Sequence, residues 1–169
     1  MQNSDFLLNT VRFILLVLVQ VLVLNHVNFL GYVNPYLYVL FILVFPLDGN
    51  KTLLLLLSFI LGLTIDIFSN SGGVHAAASI TIAYIRPVVL KFAFGVSYEY
   101  NMVKINKVPA NERLTYIVVL VVLHHLVLFS LEIFSFSHIL LILKSTLFSG
   151  IFSTILVFCT LLLFSRKNQ

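Results

Sequence analysis

Six long apolar runs, separated by short polar connections, make up most of this sequence. The runs cover residues 11–30, 34–47, 52–68, 75–94, 114–134 and 139–164. About 20 apolar residues are enough to cross the hydrocarbon core of a bilayer as a helix. Because the runs are continuous rather than alternating, they favour helices over the strands of a membrane barrel. The sequence therefore predicts an all-α polytopic membrane protein with six transmembrane helices, built as one integral membrane domain over residues 1–169.

The charge content excludes a soluble domain. Apolar residues make up 60% of the 169 residues, and charged residues only 9%, whereas soluble domains carry roughly a quarter. So few charges cannot cover the surface of a chain this size in water. The net charge of +4 is small and scattered, which argues against nucleic acid as a partner and for the lipid bilayer.

The second run, 34–47, is the shortest. Its 14 residues would give a helix of about 21 Å, against a hydrocarbon core of about 30 Å. Such a segment either crosses with distortion or is re-entrant. The distribution of basic residues along the chain favours a full crossing.

Basic residues lie on one side of the predicted topology. With six crossings, eight cations fall near the termini and on two loops, and none on the other three loops: Arg12, Lys51, Lys91, Lys104, Lys107, Arg113, Arg166 and Lys167. Cytoplasmic loops of membrane proteins carry the excess of Lys and Arg. The split predicts cytoplasmic N- and C-termini. The first run ends without a small-residue cleavage site, so it is expected to be a retained span and not a cleaved signal peptide.

Ionisable residues inside the runs are the candidates for function, since they are costly in lipid and usually face the bundle interior. An intramembrane polar network is expected among Asp66, Arg86, His125, Glu132 and Lys144. Asp66, Glu132 and Lys144 project to the same outer third of the bilayer, which predicts a carboxylate–ammonium network; the alternative is that Lys144 extends alone to the headgroups. Arg86 precedes Pro87 and needs acceptors, for which carbonyls freed by a proline kink are candidates.

No cofactor, metal or catalytic group is expected. The neighbours His124 and His125 point about 100° apart on a helix, so interhelical hydrogen bonds are a better interpretation than a metal site. The lone Cys159 is interpreted as a small buried hydrophobic residue. A triad of Asp66, His75 and nearby serines lacks any supporting motif.

A dense group of small residues opens the fourth run. Spacings of four residues within this group allow close approach between helices. The group is interpreted as a helix-packing or partner face formed by Gly72, Gly73, Ala76, Ala77, Ser79 and Ala83.

The strings GLTIDIFS at 62–69, GGVHAA at 72–77 and AY at 83–84 resemble the signature region of the bacterial rod shape-determining MreD family, and NPY at 34–36 is also similar. The family-pattern positions are Gly62, Asp66, Gly73, His75, Ala76 and Tyr84. Length, six spans, short outer loops and cytoplasmic termini agree with the family over essentially the whole chain. Arg86-Pro87 and the histidine pair are not hallmarks of that pattern.

The resemblance implies a non-enzymatic scaffold or regulator of the elongation (rod) complex in the bacterial cytoplasmic membrane. Such a protein would support peptidoglycan synthesis and cell shape by associating with MreC, and through it with MreB, RodA and a transpeptidase. The alternative from another class is the substrate-binding S component of an energy-coupling-factor transporter, which is also a six-helix bundle. In that case Arg86, His125 and Asp66 would line a ligand cavity.

Overall fold

The computed structural model describes residues 3–27, 31, 33–47, 49–95 and 108–165. Six α-helices follow one another in this part of the chain: α1 Asn3–Leu22, α2 Val39–Val44, α3 Lys51–Ser69, α4 Val74–Phe94, α5 Ala110–Ile133 and α6 Ile139–Ser165. Short 3-10 helices, Leu24–His26 and Phe136–His138, follow α1 and precede α6. Lys104, Lys107, Arg166 and Lys167, which contribute to the predicted charge asymmetry, lie outside the described residues.

Five of the helices in the described part are long and apolar enough to cross a membrane, and the chain is therefore built as a multi-pass membrane protein. They lie within Leu7–His26, Lys51–Ser69, Val74–Phe94, Ala110–Ile133 and Ile139–Leu163. Five of the six predicted windows hold one of these helices, which matches the expected all-helical class.

The window 34–47 is not the continuous transmembrane helix of about 14 residues that the sequence predicts. Only Val39–Val44 is helical, six residues in all. Pro35 precedes this helix and Pro46 follows it, and a proline disfavours helical backbone at the residue before it. The stretch 33–47, named here the central segment, is largely buried; Tyr38, Val39 and Ile42 are fully covered.

The long helices are arranged as a row of neighbours around the central segment. α3 packs on α4, α4 on α5 and α5 on α6, while α1 packs on α3. The short helix α2 contacts α1, α4 and α5. The core therefore forms between the central segment and the inner faces of the long helices, and the opposite faces of those helices are left to the membrane.

α1 and α3 end on the same side of the bundle. Asn25, just after α1, donates from Nδ2 to Ser69 Oγ at the end of α3, at 2.9 Å. Because α1 and α3 run in the same direction, the chain between them has to return through the bundle. The central segment makes this return with one short helix and otherwise non-helical backbone.

Candidate functional site

Asp66 joins α3 to α4. Its Oδ1 accepts from Ser71 Oγ at 2.6 Å and from the His75 backbone N–H at 3.0 Å, and its Oδ2 accepts from the Ala76 N–H at 2.8 Å. The first N–H groups of a helix have no partner within the helix and favour negative charge. Gly73, at the N-cap of α4, provides no side-chain cap. The carboxylate of the preceding helix therefore caps α4.

Gly62 allows the same two helices to touch. A Cβ atom at this position would lie 2.5 Å from both Ala76 Cα and the His75 carbonyl oxygen. Gly62 lies one helical turn before Asp66, so both residues meet the start of α4. We call the group Gly62, Asp66, Ser71, His75 and Ala76 the α3–α4 joint.

Gly72 and Gly73 have a different role from the close helix packing expected of them. Both precede α4 with positive φ, 69° and 98°, a conformation that glycine adopts without steric cost. An added Cβ would meet no heavy atom within 4 Å at either position. They form the turn between α3 and α4 and do not belong to a helix face.

The remaining small residues of α4 pack inside this chain. Ala76, Ser79 and Ala83 are buried, while Ala77 is half-buried. Their face is therefore occupied by internal packing. Tyr84 points the other way and is 76% exposed.

Gln20 of α1 holds the non-helical part of the central segment. Its Nε2 donates to the Pro35 carbonyl at 3.0 Å, and its Oε1 accepts from the N–H of Leu37 at 2.9 Å. A neighbouring β-strand would offer the same pair of groups to the two residues that flank Tyr36. Gln20, fully buried, thus replaces a missing strand partner.

Two serines of α6 hold the other side of the central segment. Ser149 Oγ accepts from the Asn34 N–H at 3.1 Å, and Ser153 Oγ accepts from the Tyr36 N–H at 2.9 Å. Two residues of extended backbone advance about 6.6 Å, and four residues of a helix about 6.0 Å, so serines four apart match alternate N–H groups. Irregular backbone at membrane depth requires such internal partners.

Tyr38 bridges two histidines in the interior. Its hydroxyl lies 2.9 Å from His75 Nδ1 and 2.8 Å from His124 Nε2. A hydroxyl has one hydrogen, so it donates to one imidazole and accepts from the other. Among the described residues, His124 Nδ1 is buried and has no hydrogen-bond partner, and an unpaired acceptor costs less than an unpaired N–H. We therefore assign the His124 proton to Nε2 and the donated Tyr38 proton to His75.

His125 connects α5 to α6. Its Nδ1 lies 2.7 Å from the Val121 carbonyl and its Nε2 lies 3.0 Å from Ser153 Oγ. Tyr36 packs its ring against His75, His124 and His125, with the centroid 5.3 Å from that of His75. Among the described residues, no group of three or more His, Cys, Asp or Glu side chains is arranged to hold a metal ion.

Arg86 holds the other end of the central segment. Its Nε donates to Tyr116 Oη at 2.9 Å, and its Nη2 donates to the carbonyls of Leu43 and Phe45. Tyr116 also donates to the Leu43 carbonyl, at 3.0 Å. α4 continues as a helix through Pro87. The described acceptors of Arg86 are carbonyls at the end of α2, and not α4 carbonyls freed by a proline kink as the sequence predicts. A cation near the carbonyl end of a helix is favourable.

The structure brings some of the predicted network residues to the central segment and leaves others outside. Arg86 binds the segment directly, and His125 shares Ser153 with it. Glu132 and Lys144 occupy exposed positions on α5 and α6. The described contacts of the Asp66 carboxylate belong to the α3–α4 joint, and the expected carboxylate–ammonium network stays a prediction.

Sequence reasoning missed Gln20, Tyr38, Tyr116, Ser149 and Ser153. One signal was present: Ser145, Ser149 and Ser153 recur every four residues and thus mark one helical face, which is buried. Gln20 is a strongly polar residue in the middle of an apolar run. Neither pattern shows that the acceptor or donor is backbone from the second run.

The Asp66 cap predicts a measurable loss on Asp66→Asn. The asparagine amide has one oxygen and one NH₂ group, whereas the carboxylate has two oxygens. The NH₂ donor would therefore face other donors, either the Ala76 N–H or the Ser71 hydroxyl and the His75 N–H. We expect the free energy of unfolding, measured by detergent titration in lipid bicelles, to fall by about 2 kcal/mol. Thr64→Val on the same helix is the control, because within the described residues the Thr64 hydroxyl donates to the Ile60 carbonyl of its own helix. Equal stability of the two variants would contradict the cap.

Comparison of the chain with protein-family models, with curated protein sequences and with solved structures finds no match. The class that the fold defines is a multi-pass, all-helical membrane protein with five long apolar helices in its described part.

Proposed function

We propose that this chain is a non-enzymatic scaffold or regulator of the bacterial elongation complex, resident in the cytoplasmic membrane. It would support peptidoglycan synthesis and cell shape by associating with MreC, and through it with MreB, RodA and a transpeptidase. Its six crossings would leave both termini in the cytoplasm.

One observation carries the proposal: four of the six family-pattern positions meet at one place. Gly62, Asp66, His75 and Ala76 all belong to the α3–α4 joint, although 14 residues of sequence separate the first from the last. These positions lie on both sides of the turn between α3 and α4, and the contacts among them hold α3 against the start of α4. A pattern defined by such a joint is one that preserves the shape of the bundle.

The use of the buried polar groups also supports a scaffold. Asp66, Arg86, Gln20 and Tyr38 each hold backbone or side chains of this chain in place. The hydrogen bonds that these four side chains form therefore stabilise the fold of this chain. A scaffold acts by binding other membrane proteins through its helices. This requires a rigid shape and no chemically reactive group.

The six-crossing topology rests on the return of the central segment. α1 and α3 end on the same side, and contacts with Ser149 at one end and Arg86 at the other extend the segment along the bundle. A backbone tied at both ends in this way supports a full crossing over a re-entrant loop.

The proposal is tested by affinity purification of the tagged full-length chain from bacterial membranes that also contain MreC from the same genome. We expect MreC to elute with the chain, and depletion of the chain in its own host to turn rod-shaped cells round. A tagged polytopic membrane protein of unrelated function is the control for non-specific detergent aggregates. Purification without MreC, together with unchanged cell shape, would overturn the scaffold.

The S-component alternative draws support from the central segment, since interrupted helices at membrane depth often line binding sites in transporters. In that case a water-soluble vitamin should raise the melting temperature of the purified chain. The scaffold proposal expects no such shift.

A further inference from the structure

Tyr84 places a hydroxyl group where the bilayer offers it no partner. It is the eleventh of the 21 residues of α4, so about 15 Å of hydrocarbon separates it from either headgroup layer. A tyrosine side chain is too short to reach across that distance, and tyrosines of membrane helices are normally found at the interfaces. Its side chain is 76% exposed.

No hydrogen bond among the described residues involves the Tyr84 hydroxyl. Ile80, Val88 and Phe92, spaced by four residues along the same face of α4, are apolar and bulky, and the last two are at least 70% exposed. Thr81, also on this face, is half-buried and donates its hydroxyl to the Ala77 carbonyl. A hydroxyl transferred to hydrocarbon without an acceptor carries a free-energy penalty. The position therefore calls for an acceptor from outside this chain. We call Ile80, Tyr84, Val88 and Phe92 the α4 stripe.

We propose that the α4 stripe binds a transmembrane helix of another protein, which presents small residues to the stripe and a hydrogen-bond acceptor to Tyr84 at mid-membrane. The bulk of the stripe decides against a second copy of this chain. The stripe holds no Gly, Ala or Ser, and two such ridges facing each other would keep their helix backbones apart. Small residues on one partner are what allow close approach in membranes.

The stripe is also distinct from the internal packing of α4. Ala76, Ser79 and Ala83 meet the rest of this chain, so α4 uses its small side chains inward and its large ones outward. This inference rests on the proposed scaffold function for the identity of the partner, and the single membrane span of MreC is the helix tested first.

The test places the photocrosslinking residue p-benzoylphenylalanine at Val88, one turn from Tyr84, in the full-length chain in bacterial membranes with MreC. We expect a crosslinked adduct with MreC, and we expect Tyr84→Phe in the same chain to lower its yield about 3- to 10-fold, the range for loss of one interhelical hydrogen bond. Leu163 of α6 is the control position, because it is 74% exposed and α5 lies between α6 and α4 in the row of helices.

Each other outcome has one meaning. Adducts at Val88 with lipid alone, or with a second copy of the chain, overturn the α4 stripe as a binding surface for another protein. An MreC adduct that forms at Leu163 but not at Val88, or one that Tyr84→Phe leaves unchanged, overturns the stripe and keeps the scaffold. An adduct at Val88 with a different membrane protein, reduced by Tyr84→Phe, keeps the stripe and overturns the role of MreC.

Discussion

Replacing Gly62 by alanine should lower the stability of this protein sharply, although it adds only one methyl group. The new Cβ would lie 2.5 Å from Ala76 Cα and 2.6 Å from the Ala76 backbone nitrogen. These are backbone atoms, so no rotamer change can relieve the overlap, and α3 must move away from α4. We expect the free energy of unfolding to fall by about 3 kcal/mol, at the upper end for an overpacked interior.

The matched control is Gly150→Ala. Gly150 is also a helical glycine at a buried position, but a Cβ there would meet no heavy atom within 4 Å. Alanine is the better helix former by up to about 1 kcal/mol, so this variant should be as stable as the parent or more so. Both are compared by reversible unfolding with sodium dodecyl sulfate in lipid bicelles. A Gly62→Ala variant as stable as Gly150→Ala would refute the close contact at the α3–α4 joint.

Movement of α3 should also displace the Asp66 cap. The two joint substitutions, Gly62→Ala and Asp66→Asn, act on the same contact between α3 and the start of α4. Their effects should therefore be less than additive in the double variant, because a displaced carboxylate has already lost its donors.

The sequence was sufficient to predict the parts of this fold that depend on local composition. Continuous apolar runs identify the long helices because a membrane helix satisfies its own backbone, and no information from elsewhere in the chain is needed. The predicted window 52–68 and the helix Lys51–Ser69 differ by one residue at each end. The charge content is a local property of the same kind, and it was enough to distinguish a membrane protein from a soluble one.

The parts that could not be predicted depend on pairs of residues far apart in the chain. Gln20 bonds to Leu37, Arg86 to Leu43 and Tyr38 to His124. Each acceptor or donor is backbone, or a side chain from a different run, so spacing within one run carries no trace of it. The Asp66 carboxylate, by contrast, finds its described backbone partners close by in the chain, at the N–H groups of His75 and Ala76, ten residues away or less.

The conformation of the central segment could not be predicted for a related reason. Its length predicted a short helix, whereas the chain keeps non-helical backbone before Val39 and satisfies it with Gln20, Ser149 and Ser153. A run of apolar residues does not report whether its N–H groups will find partners in other helices. Pro35 was the local sign against helix, since it removes an N–H and restricts Asn34.

Gln20→Leu should have an effect comparable to that of the Gly62 substitution, by a different mechanism. Leucine is similar in volume but leaves the Pro35 carbonyl and the Leu37 N–H without partners. A buried polar group left unsatisfied costs about 1–3 kcal/mol, and water cannot replace the partner at membrane depth. We therefore expect the free energy of unfolding in bicelles to fall by about 3–5 kcal/mol.

A local measurement distinguishes loss of the hydrogen bonds from Gln20 to the central segment from general unfolding of the protein. In a Cys159→Ser background, Leu37→Cys reports on the central segment through its rate of reaction with a membrane-permeant maleimide. The rate should rise when Gln20→Leu is added, under conditions where all chains are folded, because one side of the backbone is released while Ser149 and Ser153 still hold the other. Thr160→Val is the control, since in the described part of the chain the Thr160 hydroxyl donates to the Leu156 carbonyl of its own helix. If Gln20→Leu labels and unfolds like Thr160→Val, then Gln20 does not hold the central segment, and the return of the chain through the bundle depends on the serines of α6 alone.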